Sequence, residues 1–313
     1  MNILITQVSK FGAMSWIKCL KRISSMDITL YGCDIYPKGY CVGSQMVNYY
    51  EIPSNINGEK YIDYIENICN TKKIDLLLSV MDDELSFFIQ SKRFEKIMYT
   101  PDYNLFNIFH DKYIASKEIN NIGINIPPII NNPFGQKKVI FRDKIGIGSR
   151  GIYIVDLDKE EFIQNRFQKS RFMQQYIYGD EYTVDILTNI DGYPVVIVPR
   201  KRIEIKQGIS FRSQLVNDPD IINACMKIYN SFKIPGISNV QFIKNDTGIY
   251  FIELNPRIGG TTIASVIGGF NIVELFLKHY IKHEEINVFP NYQHLFAWNS
   301  VITRDYNEFV YLP

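Results

Sequence analysis

The chain has 313 residues, with 34 basic and 33 acidic side chains and a formal charge of +1. No global field therefore steers it towards nucleic acid or a membrane surface, and its length allows a large core in two or three domains. Its five cysteines (Cys19, Cys33, Cys41, Cys69 and Cys225) are scattered and include no CxxC pair. That argues against a disulfide framework or a zinc site and for a reducing cytoplasm. The N-terminus lacks a basic segment followed by a long apolar stretch, and no window approaches a membrane span, so a cytoplasmic protein without a signal peptide is expected.

Residues 2–7 read as a short apolar strand, residues 13–23 as a helix and residues 28–34 as a second strand. This order opens a doubly wound α/β unit. Only Gly12 stands where a dinucleotide fingerprint needs three glycines, so nicotinamide binding is disfavoured. A helix over 59–70 and a strand over 74–80 continue the alternation. Asp82-Asp83-Glu84 then follows at a strand end, where ligands of open sheets sit. The favoured reading of these acids is a helix N-terminus offsetting the dipole. Asp111-Lys112 opens a further helix to Asn121, and Ile126-Pro127-Pro128 makes a rigid exit.

Residues 139–142 and 152–155 read as strands flanking Gly146-Ile147-Gly148-Ser149-Arg150-Gly151. Such a loop lets backbone N–H groups approach an anion, although by itself it is a flexible hairpin turn. It does not run into a helix or carry Lys-Ser, so it is not a Walker loop. Residues 172–177, Gly179 and residues 181–187 read as strand, bend and strand. Val195–Gly208 runs into the basic cluster Arg200-Lys201-Arg202, a pattern that is usually a solvated face.

A helix over 220–232 precedes two strands around Lys244-Asn245-Asp246-Thr247-Gly248, which read as a hairpin. If the hairpin centres near Thr247, Gln241 lies opposite Glu253, and alternation places Phe251, Glu253 and Asn255 on one face. Two amide oxygens and a carboxylate, with Arg257 just beyond, suit Mg²⁺ and phosphate, although spacing alone fits a solvated edge hairpin equally well. One apolar helix is expected from Gly260-Thr261 to Tyr280, with hydroxyl caps and an N-terminus able to face an anion. His279 and His283 have a zinc-like spacing but no third ligand. A final strand is expected over 308–312.

The run Ser238-Asn239-Val240-Gln241-Phe242, followed by Phe251-Ile252-Glu253-Leu254-Asn255-Pro256-Arg257-Ile258-Gly259-Gly260, resembles the metal-binding end of the ATP-grasp superfamily, in its carbamoyl-phosphate-synthase-like branch. The resemblance extends over essentially the whole chain. It implies an α/β fold with a Rossmann-like pre-ATP-grasp domain (1–104), a lid subdomain (105–177) and a C-terminal subdomain with the metal site (178–313).

The same resemblance implies ATP as cofactor with Mg²⁺, or Mn²⁺ as the alternative, held by Gln241, Glu253 and Asn255. Lys112, Arg142 and the loop residues Gly148, Ser149 and Gly151 would face the phosphates. Gln174, Gln175, Tyr176 and Ile177 would read the adenine edge, and Glu181 the ribose. Arg257, Arg142 and Arg202 are the implied catalytic cations, with Arg200 also facing phosphate or the acceptor carboxylate. Arg142-Asp143 stands where the family commonly has Lys-Pro; Arg retains the charge and adds a bidentate contact.

The implied function is an ADP-forming ligase that activates a small carboxylate as an acyl phosphate for attack by an amine. The partners are small molecules rather than nucleic acid or membrane, and a homodimer is compatible with the family. A carbamoyl-phosphate-synthase-like enzyme acting on bicarbonate or carbamate and a non-catalytic ATP-binding protein are the alternatives.

Overall fold

In the computed structural model, which describes residues 1–133, 135–146, 151–157, 170–305 and 309–311, the chain opens with β1 (Asn2–Thr6), α1 (Phe11–Leu20), β2 (Thr29–Asp34), β3 (Asn48–Glu51), α2 (Gly58–Lys72), β4 (Leu76–Leu78) and α3 (Asp82–Ser91). The strands form a four-stranded sheet in the order β3-β2-β1-β4, every pairing parallel. Both faces are covered, which explains the unbroken apolar runs of β1 and β4. Ile3, Ile5, Leu76 and Leu78 pack on the α1 side. Leu4 and Leu77 pack with Ile62 and Ile65 of α2 on the other.

Two short helices follow, α4 (Tyr103–His110) and α5 (Lys112–Asn121), N-capped by the carboxylates of Asp102 and Asp111. Sequence periodicity had not indicated α4. Next come β5 (Lys138–Asp143), β6 (Ile152–Asp156) and β7 (Arg171–Gln175), an antiparallel sheet in the order β6-β5-β7.

The remainder builds on β8 (Asp180–Thr188), β9 (Pro194–Lys206), β10 (Ile209–Leu215), α6 (Pro219–Phe232), β11 (Ile237–Asn245), β12 (Gly248–Asn255), α7 (Ile263–Ile267), α8 (Ile272–Tyr280) and β13 (Val301–Thr303). These strands form a six-stranded antiparallel sheet in the order β12-β11-β8-β9-β10-β13. One face packs with α6 through Ile221, Cys225 and Tyr229. The other joins the α1 side of the first sheet in a shared core through Val196, Val198, Ile237 and Phe276.

Three expectations are corrected here. Gln241 does pair with Glu253, but the next pair is Phe242 with Phe251, so Ile252 is an extra residue in the ladder. Such a bulge resets the alternation. Phe251 therefore turns into the core with Phe242 and Leu254 rather than sharing the Glu253 face. The helix expected from Gly260 to Tyr280 is two helices, α7 and α8, separated at Gly268-Gly269. A Cβ on Gly269 would lie 2.7 Å from the Leu295 carbonyl oxygen, so glycine admits the backbone of the following segment there. Residues 309–311 carry no strand.

Candidate active site

The hairpin β11–β12 supplies the centre of the site. Glu253 Oε1 accepts from Gln241 Nε2 at 2.7 Å and from Asn255 Nδ2 at 3.2 Å. Cations approach the same carboxylate from two other elements. Lys112 Nζ, at the start of α5, lies 4.0 Å from Glu253 Oε2, and Arg142 Nη2, on β5, lies 3.8 Å from it. Lys112 Nζ also donates to the Gly146 carbonyl at 2.6 Å, which pins the entrance of the glycine loop beside Glu253.

Arg142 is 2% exposed. Its Nη1 donates to the Ile252 carbonyl at 3.0 Å, the residue that the bulge turns towards it, and lies 3.4 Å from Gln174 Oε1. Its Nε and Nη2 are buried without a hydrogen-bond partner. Burial lowers its proton affinity from the usual guanidinium value, with Glu253 acting the opposite way.

Asp143 accounts for the departure from Lys-Pro. Its carboxylate accepts from Arg171 Nε at 2.7 Å, and its backbone N–H donates to the Gly151 carbonyl at 2.9 Å. Gly151 has φ +76°, and a Cβ there would lie 2.0 Å from Asp143 Oδ2. Arg142-Asp143 thus places a cation in the cleft and an acid under the far end of the loop. Gly148 and Ser149 lie outside the described residues.

A cleft of about 320 Å³ runs from this centre between the two antiparallel sheets, lined by Arg142, Gln174, Gln175, Tyr176, Ile177, Glu181, Arg202 and Gln241. Ile140, Ile152 and Ile154 of the smaller sheet face Ile243 and Ile252 of the hairpin across it. This apolar slot was not read from the sequence, although strand alternation carries its signal. Gln174 is buried, with Nε2 donating to the Pro127 carbonyl at 2.9 Å, and the Gln175 backbone N–H is already bonded to the Pro128 carbonyl. Two of the groups expected to read a base edge are therefore engaged within the protein. Glu181 Oε2 accepts from Arg202 Nη1 at 3.0 Å, and Arg202 also donates to Ser210 Oγ and the Gly208 carbonyl.

Arg257 lies beside this centre rather than free within it. Its Nε and Nη2 donate to the Asp82 carboxylate at 2.7 and 2.8 Å. Burial alone would raise the Asp82 pKa, but the Arg257 guanidinium holds it below the usual carboxylate range. Asp82 does open helix α3, as expected, yet its carboxylate serves this pair.

Arg200 is corrected more fully. It is wholly buried, donating to Asp185 at 2.9 Å and to Thr261 Oγ1 at 3.0 Å. It faces neither solvent nor the cleft. The hydroxyls of Thr261 and Thr262 serve this network rather than capping α7, since Thr262 Oγ1 donates to Asp185 at 2.6 Å and α7 has no side-chain cap. His279 bonds the Ile190 N–H and the Glu284 carbonyl, and among the described residues no His/Cys/Asp/Glu cluster of three could hold a metal. All five cysteines are free thiols.

Two family models match, one described as ATP-grasp in the biosynthetic pathway with Ter operon, over residues 168–301, and one as the PylC-like N-terminal domain, over residues 26–100. An uncharacterized protein of Methanocaldococcus jannaschii is 28% identical over 233 residues, 68% of this chain and 58% of that one. The carbamoyl phosphate synthase large chain of Clostridium beijerinckii is 29% identical over 153 residues, 44% of this chain and 14% of that one. This chain thus spans just over half of the first relative and a small part of the second.

Among solved structures, the biotin carboxylase domain of Hydrogenobacter thermophilus 2-oxoglutarate carboxylase, in complex with MgADP and bicarbonate, superposes with TM-score 0.72 at 15% identity, over 96% of this chain and 73% of that one. The Bacillus licheniformis L-amino acid ligase gives 0.69 at 14% identity, over 90% and 74%. The chain has the ATP-grasp fold, and its residues 168–301 match a model of an ATP-grasp family.

Proposed function

We propose that this chain is an ATP-dependent ligase that phosphorylates a small carboxylate, releasing ADP, and lets an amine displace the phosphate. The observation that carries the reading is Arg142, whose buried Nε and Nη2 have no acceptor. Each buried, unsatisfied group of this kind costs roughly 1–3 kcal/mol, so the arrangement suits a site where a bound anion supplies the acceptors. Phosphate oxygens in the cleft would do so, with Lys112 beside them.

The donor set fits Mg²⁺, which is commonly held by one or two carboxylates together with substrate phosphates. Glu253 is that carboxylate. Gln241 and Asn255 now turn their amide nitrogens to it, and rotation about each terminal bond would present their oxygens instead. Bound Mg²⁺ and ATP would supply charge neutralisation and the transferable phosphoryl group. This chain's residues do the positioning. Lys112 and Arg142 orient the phosphates, Asp143 and Gly151 fix the C-terminal end of the glycine loop, and the isoleucine slot with Tyr176 and Ile177 excludes water around the base. Glu181 meets the ribose, and Arg257, fixed by Asp82, stabilises charge developing on the transferred group. In this reading residues 105–177 form the lid over a metal-bearing C-terminal part.

ADP release measured across panels of carboxylates and amines, with mass spectrometry of the products, tests the proposal. Amide product with stoichiometric ADP is expected. Release of AMP would overturn the acyl-phosphate mechanism.

A further inference from the structure

Asp185 of β8 and Arg200 of β9 are both wholly buried and lie outside the lining of the nucleotide cleft. Arg200 Nε and Nη2 each lie 2.9 Å from Asp185 Oδ2. Thr262 Oγ1 donates to Asp185 Oδ1 at 2.6 Å, and Ser265 Oγ donates to Oδ2 at 2.5 Å. Asn239 Nδ2, on β11, approaches Oδ1 at 3.3 Å. Arg200 Nη1 is buried with no hydrogen-bond partner among the described residues. Apolar side chains of similar volume commonly serve a core as well as a buried ion pair does, and an orphaned donor adds a further penalty. Stability alone therefore does not account for this network.

What the network holds is the segment that carries Arg257. The Gly259 N–H donates to Thr262 Oγ1 at 3.1 Å, so a relay of two hydrogen bonds runs from Asp185 to the second residue after Arg257. Arg200 Nη2 also donates to Thr261 Oγ1 at 3.0 Å. Gly259 sits directly on this network, since a Cβ there would lie 3.0 Å from Asn239 Nδ2. Asn239 in turn pairs with Asn255 in one ladder and with Asp185 in the other. The loop is thus gripped from two sides. Asp82 fixes the Arg257 side chain, and Asp185 with Arg200 fixes the chain two to five residues later.

We propose that the Asp185–Arg200 pair is a positioning clamp, which sets the 257–262 loop so that Arg257 meets the transferred phosphoryl group. Neither residue touches the nucleotide; both act through Gly259, Thr261 and Thr262. The role rests on the nucleotide reading above, in which Arg257 faces that phosphate.

The test is titration calorimetry of the full chain with MgADP and with the magnesium complex of β,γ-imido-ATP, on wild type, Thr262→Val and Thr262→Ser. Valine keeps the shape of threonine and removes the hydroxyl, whereas serine keeps the hydroxyl. Affinity for the imido analogue relative to MgADP should fall about 10-fold in Thr262→Val, the order of one charge-assisted hydrogen bond, with MgADP affinity retained. Thr262→Ser should keep the wild-type ratio. Thr261→Val removes an acceptor of Arg200 and should lower the same ratio, so the clamp stays testable if Thr262→Val does not fold. An unchanged ratio in the folded valine variants, an equal fall in Thr262→Ser, or equal losses of both nucleotides would overturn the proposal. Failure of wild type to bind either nucleotide would overturn the nucleotide reading instead.

Discussion

Asp82 and Arg257 stand 175 positions apart in the chain and form a two-bond ion pair, joining the end of the first parallel sheet to the loop after the β11–β12 hairpin. Removing one partner of a buried pair costs about 3–5 kcal/mol, because a charge is left uncompensated. Asp82→Ala should therefore lower thermal stability by that order. Asp82→Asn also leaves the Arg257 charge uncompensated but retains one acceptor, so it should cost less stability than Asp82→Ala, and it should lower kcat about 10²-fold through misplacement of Arg257, with the KM for ATP little changed. Steady-state kinetics and calorimetry on both variants check this. Normal kcat in Asp82→Asn would show that Arg257 has no part in the chemistry.

Arg142 makes a prediction of opposite sign for stability and function. It is a buried cation with two unsatisfied groups, so Arg142→Met removes a desolvation penalty. The unliganded variant should be no less stable than wild type, while nucleotide affinity falls at least about 10-fold, one charge-assisted hydrogen bond being worth roughly 1.5–3 kcal/mol. Calorimetric titration with MgADP beside thermal unfolding tests both arms. Undiminished affinity would remove Arg142 from the phosphate site.

At Gly151 an added Cβ meets the Asp143 carboxylate, and φ is +76°. Left-handed backbone costs a non-glycine residue about 1–2 kcal/mol, here with the clash added. Gly151→Ala should raise the KM for ATP several-fold by displacing the loop base, and Asp143→Gly in the same chain should recover part of the loss. Equal KM values for Gly151→Ala and wild type would contradict the loop's assignment.

Glu84 is buried among hydroxyls of Thr6, Ser79 and Tyr61, and burial raises its pKa despite those hydrogen bonds. A carboxyl whose pKa is higher folded than unfolded contributes most stability below its unfolded value and loses it as pH rises through the folded value. The stability difference between wild type and Glu84→Gln should therefore move in favour of wild type as pH falls from neutral towards 4.5. A pH-independent difference would mean that the folded pKa of Glu84 is not raised.

The sequence carried the α/β opening, the strands β5, β6 and β7 and the Gln241–Glu253 pairing, because these rest on periodicity and on a short turn. It did not carry the bulge at Ile252, since one extra residue in a ladder leaves no mark in an alternating apolar run. That bulge decides that Phe251 joins the core and that the Ile252 carbonyl meets Arg142. The split between α7 and α8 was written in Gly268-Gly269, but the reason glycine is needed, the backbone of residues 295–296, lies in another segment. Arg200 and Arg202 look alike in sequence and differ by burial. Arg200 meets Asp185 across the β8–β9 pairing, and Asp82 finds Arg257 only through tertiary packing, which no local pattern encodes.

The most direct test of the account is Mg²⁺-dependent nucleotide binding, measured by titration calorimetry with ADP on wild type and Glu253→Gln, each with and without Mg²⁺. Among the described residues, Glu253 is the one carboxylate that Gln241, Asn255, Lys112 and Arg142 all approach. The account predicts that Mg²⁺ tightens ADP binding to wild type at least about 10-fold, roughly 1.4 kcal/mol, and that Glu253→Gln loses this increment while still binding ADP alone. An equal Mg²⁺ effect in both proteins, or no ADP binding by wild type, would contradict it.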